Sequence, residues 1–65
     1  MPDKALEQYL LAVKVKPDFA EAYFNLGLLY FNMGQLENAR RELITTLNIK
    51  PHDQKAQQLL QIISR

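Results

Sequence analysis

Residues at fixed spacings through the middle of the chain constrain its fold more than any other feature. A small residue lies between two tyrosines of one predicted helix, a second small residue lies in the next helix, and a proline follows. This order is typical of one helix–turn–helix unit in a stacked array. Because a stacked array works by presenting a surface, the pattern favours a binding module. The residues are Tyr23, Leu26, Gly27, Tyr30, Ala39, Leu43 and Pro51.

The chain also resembles itself when it is shifted by the separation between Pro17 and Pro51. A period of about 34 residues, which this separation matches, indicates a repeat made of two helices. The chain is therefore interpreted as half a unit, one complete unit and another half unit. The identical pairs at this offset are Ala5 and Ala39, Lys16 and Lys50, Pro17 and Pro51, Ala22 and Ala56, and Leu26 and Leu60.

Proline and glycine mark the ends of the predicted helices. Pro17 and Pro51 each follow a helical stretch and should end it nearby, while Gly34 stands where a left-handed residue would end another helix. Short connections favour antiparallel packing of consecutive helices. We predict four helices, at about residues 3–15, 19–33, 36–49 and 53–64.

Charged residues predict local details of three of these helices. Asp18, with Glu21 three residues later, has the pattern of a capping box at the start of the second helix. Asp53 is expected to cap the fourth helix in the same way. In the third helix, Glu37 and Arg41 have the spacing of an i, i+4 ion pair on the surface.

Composition narrows the range of functions. A chain of 65 residues forms at most one small domain, and the absence of cysteine excludes disulfides, thiolate metal sites and thiol nucleophiles. A net charge of +1 without a basic cluster argues against nucleic-acid binding. The sequence has no apolar run of the ~20 residues that span a membrane and no apolar core of a signal peptide, so no membrane contact is expected. The compartment is otherwise unmarked, and the cytoplasm is the expected location.

Residues that could perform chemistry are scattered along the chain. His52 is the only histidine and follows Pro51 in a predicted turn, so no metal site is expected. Ser64 has no base beside it that could activate its hydroxyl. Gly27 and Gly34 stand alone and do not form a phosphate-binding loop. We therefore expect no enzyme activity and no cofactor.

In these residues and spacings, the chain resembles the tetratricopeptide repeat family over nearly its whole length. The resemblance implies an all-α fold of antiparallel helix pairs in a right-handed superhelical array, here with about four helices. It divides the single domain 1–65 into a second-helix half-repeat (1–19), a complete repeat (20–53) and a C-terminal capping helix (54–65). The capping helix is expected to turn its glutamines, Gln54, Gln57, Gln58 and Gln61, to water.

The resemblance also implies a function. In this family the first helix of each pair lines a concave groove that usually holds an extended peptide or a helix of a partner protein. Phe24, Leu28 and Phe31 would form an apolar stripe there, contributing roughly 5–9 kcal/mol against association costs of about 4–15 kcal/mol, which predicts weak binding. In the alternative interpretation the fourth helix covers this stripe. The predicted groove residues are Glu21, Phe24, Asn25, Leu28, Phe31, Asn32, Lys55, Gln58 and Ile62.

Two further interpretations remain open alongside a protein or peptide partner with an apolar face. The first is self-association as a homodimer, because the first predicted helix has no preceding helix to pack on. Ala5, Tyr9 and Leu10 would then be partly bare and available to a second copy. The second is that the chain is a fragment of a longer array, since it begins in the middle of a repeat.

Overall fold

Four α-helices make up the fold of this chain in a computed structural model that describes residues 2–64. The described residues include no strand. Each predicted helix end lies within one residue of the observed end, which confirms the all-α fold and the number of helices. The helices are α1 (Pro2–Val15), α2 (Ala20–Asn32), α3 (Leu36–Ile49) and α4 (Gln54–Ile63).

Gly34 ends α2 by adopting the left-handed conformation that the sequence predicts, with a φ of 77°. The N–H of Gly34 donates to the carbonyl of Phe31 at 3.0 Å, and the N–H of Gln35 donates to the carbonyl of Tyr30 at 2.9 Å. These two bonds satisfy carbonyls that the end of a helix would otherwise leave unpaired. The chain can therefore reverse direction between α2 and α3 in very few residues.

Only one of the two predicted helix caps is present. The Asp53 carboxylate accepts a hydrogen bond from the N–H of Ala56 at 3.1 Å and caps α4, as predicted. The capping box of Asp18 and Glu21 was a wrong prediction, because Phe19 occupies the N-cap of α2 and no side chain caps that helix. The reason lies in the repeat itself, since Phe19 is the repeat equivalent of Asp53 and Asp18 lies one position too early.

The core forms where α3 packs between α2 and α4. Leu26 of α2 and Leu43 of α3 are fully buried. A Cβ atom added to Gly27 would lie 3.0 Å from Cδ2 of Leu43, so the missing side chain of glycine favours the close approach of these two helices. The buried core residues are Leu26, Tyr30, Ala39, Leu43, Ala56, Leu59 and Ile63.

Helix α1 packs on α2 and contributes less to this core than the other helices do. Its side chains Leu6, Tyr9 and Val13 pack against the core but remain partly exposed. None of the α1 side chains that the structure describes is fully buried. In α4, by contrast, Ala56, Leu59 and Ile63 are buried, while the four glutamines face solvent as predicted.

Among the described residues, no helix combines the length and the apolar character that crossing a bilayer requires.

Candidate functional site

A cleft of about 580 Å³ lies between the N-terminal turns of α2 and the turn that joins α3 to α4. Helix α2 contributes one wall, and the last residue before Pro51 together with the first turn of α4 forms the other. We call this site the α2–α4 cleft. Its lining residues are Glu21, Phe24, Asn25, Lys50, Asp53, Gln54 and Lys55.

The cleft brings together four of the residues predicted from the sequence to line a groove, namely Glu21, Phe24, Asn25 and Lys55. They come from helices separated by the whole of α3. The repeat places them side by side, because Lys55 occupies in α4 the position that Glu21 occupies in α2. Residues at equivalent positions of successive repeat units thus form one surface that extends from α2 to α4.

Three lining residues were not anticipated from the sequence: Lys50, Asp53 and Gln54. Lys50 and Asp53 flank the turn at Pro51 and His52. The sequence predicted that Pro51 ends α3 and that Asp53 caps α4, but not that Lys50 or Asp53 lines a cleft. The N–H of Asp53 donates to the carbonyl of Lys50 at 3.1 Å, so the segment forms a tight turn.

Charges around the cleft are balanced. Glu21 and Asp53 are acidic, and Lys50 and Lys55 are basic. Asp53 is already engaged in capping α4. Within residues 2–64, no hydrogen bond of the structure involves the side chain of Glu21, Asn25 or Lys55. These three polar groups are therefore free to pair with a ligand.

The predicted apolar stripe on α2 is only partly available. Phe24 and Phe31 are half-buried and pack against the core, whereas Leu28 is 39% exposed. Helix α4 contributes Leu59 and Ile63 to the core, but Ile62 is 51% exposed and points away from it. The apolar surface available to a partner is consequently smaller than that of three fully exposed side chains.

The remaining predicted groove residues lie outside the α2–α4 cleft. Asn32 is exposed near the end of α2. Gln58 is exposed on α4 and lines a separate depression of about 400 Å³ with Leu47 and Leu60. The structure therefore does not gather all of the predicted groove residues into one cavity.

Comparison with known families identifies the repeat. A family model described as TPR repeat matches residues 3–34, and one described as tetratricopeptide repeat matches residues 20–53. The chain belongs to the tetratricopeptide repeat family. Gly27 and Ala39 are buried positions of this repeat, whereas Tyr23 is half-buried and lies outside the core cluster.

The chain is also similar to a much longer protein. The protein named BBSome complex member BBS4, from Bos taurus, is 41% identical to it over 54 residues. This stretch covers 83% of the present chain but only 10% of BBS4. The tetratricopeptide repeat chain thus spans a small part of the curated relative that it matches.

A second apolar depression, of about 370 Å³, lies on α1 of this repeat chain and is lined by Leu11, Ala12, Val15 and Phe19, among others. Leu11 and Val15 are 61% and 76% exposed. Of the residues predicted for self-association, Leu10 is 44% exposed, while Ala5 and Tyr9 are half-buried. Leu11 and Val15 were not predicted from the sequence as an exposed apolar pair, although they share one side of α1 at i, i+4 spacing.

Polar chemistry elsewhere in the repeat is limited. In the described part of the chain no three His, Cys, Asp or Glu side chains come close enough to hold a metal ion. The prediction that Glu37 pairs with Arg41 was wrong: Glu37 pairs with Arg40, one turn along α3 at i, i+3 spacing. Arg41 instead donates to the side-chain oxygen of Asn38 at 3.4 Å.

Proposed function

We propose that this chain is a non-catalytic protein-interaction module in which the α2–α4 cleft and the adjoining face of α2 bind a peptide or helix of a partner protein. Tetratricopeptide repeats generally mediate protein–protein interaction, which supports the broad class. The observation that carries the specific proposal is the cleft, where unpaired polar groups surround the half-buried ring of Phe24.

The chemistry of the cleft suits a ligand with one apolar side chain and both charges nearby. An apolar group would rest on Phe24 and the exposed Leu28. The amide of Asn25 can donate to a peptide carbonyl and accept from a peptide N–H, so it suits an extended backbone. An acidic ligand group would approach Lys50 and Lys55, and a basic one would approach Glu21.

The expected affinity of this module alone is low. Phe24 and Phe31 already bury part of their surface in the core, so their contribution falls below the roughly 1.5–3 kcal/mol of a fully exposed apolar side chain. Strong binding would then require a larger contact or several linked repeats. The related protein BBS4 is named as a member of a complex, which agrees with an interaction role.

Selection from a phage-displayed library of short random peptides, followed by nuclear magnetic resonance titration of a selected peptide, tests the proposal. We expect chemical-shift changes at the amides of Glu21, Asn25 and Lys55. Leu28→Ser should weaken the complex roughly tenfold, because burying a leucine side chain contributes about 1.5–3 kcal/mol.

Ile44→Ser is the matched control, since Ile44 is 45% exposed on α3, outside both the cleft and the adjoining face of α2 that carries Leu28. This variant should bind the selected peptide like the unmodified chain. Equal weakening by both variants, or shift changes confined to the surfaces of α1 and α3, would rule out the cleft as the binding site.

A further inference from the structure

Helices α2 and α4 expose side chains at equivalent positions of the repeat. Glu21 corresponds to Lys55, and Leu28 corresponds to Ile62. All four side chains are exposed, Leu28 by 39% and Ile62 by 51%. On each helix the charged residue and the apolar residue are two turns apart, so they lie on the same side and about 10.5 Å apart along the helix axis. We call Glu21 and Lys55 the charged row, and Leu28 and Ile62 the apolar row.

Packing of the repeat leaves both rows open. Helix α2 has α1 before it and α3 and α4 after it in the chain, and it packs directly on α1 and α3. Leu28 is nevertheless exposed, whereas Leu26 and Gly27 beside it are buried. Because Ile62 occupies the same position in α4, a further helix packed on α4 as α3 packs on α2 would leave Ile62 exposed as well. An apolar row that the repeat does not cover, next to a cleft, indicates contact with another molecule.

The charged row carries opposite signs on its two helices. Within residues 2–64, no ion pair or hydrogen bond engages the side chain of Glu21 or Lys55. On the α4 side of the cleft Lys50 adds a second positive charge, while the carboxylate of Asp53 is engaged in capping α4. The α2 side of the cleft is therefore acidic, and the α4 side is basic on balance.

We propose that the partner segment is an extended peptide that carries a basic and an acidic residue side by side and two adjacent apolar residues about three positions away. This ligand chemistry rests on the function proposed above for the α2–α4 cleft. Successive side chains of an extended chain project to opposite sides, so an adjacent pair of charges reaches Glu21 and Lys55 at the same level. Three residues of extended chain span about 10 Å, which places the apolar pair at Leu28 and Ile62.

The residue between the two rows favours an extended partner over a helical one. Asn25 lies one turn from both Glu21 and Leu28 on α2, and its side chain makes no hydrogen bond in the described part of the chain. Its amide can bond a peptide N–H and a peptide carbonyl of an extended segment. A helical partner has already paired these backbone groups within itself, so it would leave Asn25 unused.

Nuclear magnetic resonance titration with three synthetic peptides, each with both ends blocked, tests the proposal. The first probe has an adjacent lysine and aspartate, then one serine, then two leucines. The second and third probes carry two lysines or two aspartates in place of the mixed pair. We expect the first probe to bind about fivefold more tightly than either of the others, because a like-charged pair sets one side chain against a charge of its own sign.

Charge reversals in the protein provide the second readout. Glu21→Lys alone and Lys55→Glu alone should each weaken binding of the first probe about fivefold. The double variant should recover most of the affinity, because an extended segment can turn about its long axis and exchange its two sides. Glu7→Lys, a reversal at an exposed side chain of α1 outside the cleft, should leave binding unchanged. These differences should shrink at ~1 M salt, where charges are screened beyond about 3 Å.

Three results would overturn this ligand chemistry while leaving the proposed function in place, provided that Leu28→Ser still weakens binding of the selected peptide. They are equal binding of the three probes, a double variant that binds no better than the single ones, and a selected peptide that occupies the cleft when the first probe does not. If neither the probes nor the selected peptide changed the chemical shifts of α2 and α4, the proposed function itself would be contradicted, and this ligand chemistry with it.

Discussion

At the scale of single residues, the presence or absence of one or two atoms decides how closely the helices of the repeat pack. Gly27 has no Cβ, and this allows Leu43 to be fully buried against α2. Thr46 is also fully buried, although the equivalent residue of α1 is alanine. Its hydroxyl donates to the carbonyl of Glu42 at 2.9 Å, so the polar atom is satisfied inside α3 and the helices still pack closely.

Gly27→Ala should destabilise the fold by about 1–2 kcal/mol. The added methyl would lie 3.0 Å from Cδ2 and Cγ of Leu43, and overpacking of this kind typically costs about 1–3 kcal/mol. The higher helix propensity of alanine offsets up to about 1 kcal/mol of that cost. Urea denaturation followed by circular dichroism measures the net effect.

Gln61→Ala provides the matched control for the glycine. Gln61 occupies the equivalent position in α4 but is exposed to solvent. This change should be neutral or slightly stabilising, by a few tenths of a kcal/mol, because only helix propensity is altered. If Gly27→Ala proved as harmless as Gln61→Ala, the close approach of α2 and α3 would not depend on glycine.

At the scale of elements, the helix ends follow the repeat more closely than they follow residue-by-residue signals. The turns before α2 and α4 have the same geometry, since the N–H groups of Phe19 and Asp53 each donate at 3.1 Å to the carbonyl three residues earlier. The turn fixes which residue becomes the N-cap, and that residue is Phe19 in one case and Asp53 in the other. Asp18 has a side chain suited to capping, but the turn does not place it at the N-cap.

Asp53→Ala should therefore cost about 1 kcal/mol of unfolding free energy, since it removes the hydrogen bond to the N–H of Ala56. Asp18→Ala should change stability by less than about 0.5 kcal/mol, because Asp18 is exposed and caps no helix. Urea denaturation of the two variants under identical conditions makes the comparison. A larger loss for Asp18→Ala would mean that the start of α2 is capped differently in solution.

At the scale of the whole molecule, a small core leaves stability sensitive to each buried polar group. Glu42 is 9% exposed and lies on the buried side of α3. Burial raises the pKa of the Glu42 carboxyl, and the nearby charge of Arg41 opposes this change only in part. The folded chain thus binds a proton at Glu42 more tightly than the unfolded chain does.

The contribution of Glu42 should make the domain more stable in acid than at neutral pH. Because its pKa is higher in the folded state, this contribution is fully present below the unfolded-state pKa and is lost as pH rises through the folded-state pKa. Glu42→Gln should raise the melting temperature at pH 7 and flatten its dependence on pH in the mildly acidic range. Glu21→Gln, a change at an exposed carboxylate, serves as the control.

Thermal unfolding of these variants across the mildly acidic pH range tests whether Glu42 controls the pH dependence of stability. A melting temperature that rises with pH through this range, or an identical pH dependence in Glu42→Gln and the unmodified chain, would show that Glu42 is not the controlling group.

The sequence by itself determined the helices and their scaffold. The repeat period, Gly34, Pro17 and Pro51 indicated where helices end, and the small residues Gly27 and Ala39 indicated which faces meet. These features follow from local backbone preferences and from spacing along one helix, which a single sequence displays directly. The fold class and the family could therefore be predicted before any tertiary contact was known.

Only the tertiary structure decided how much of each surface remains free. Phe24 and Phe31 look like a bare stripe in the sequence, yet they pack partly against the core, while Leu11 and Val15 lie on the side of α1 that no helix covers. Lys50 joins the α2–α4 cleft because the turn at Pro51 lies beside α2. Exposure depends on contacts between helices distant in the chain, and helical periodicity identifies a side of a helix without showing what covers it.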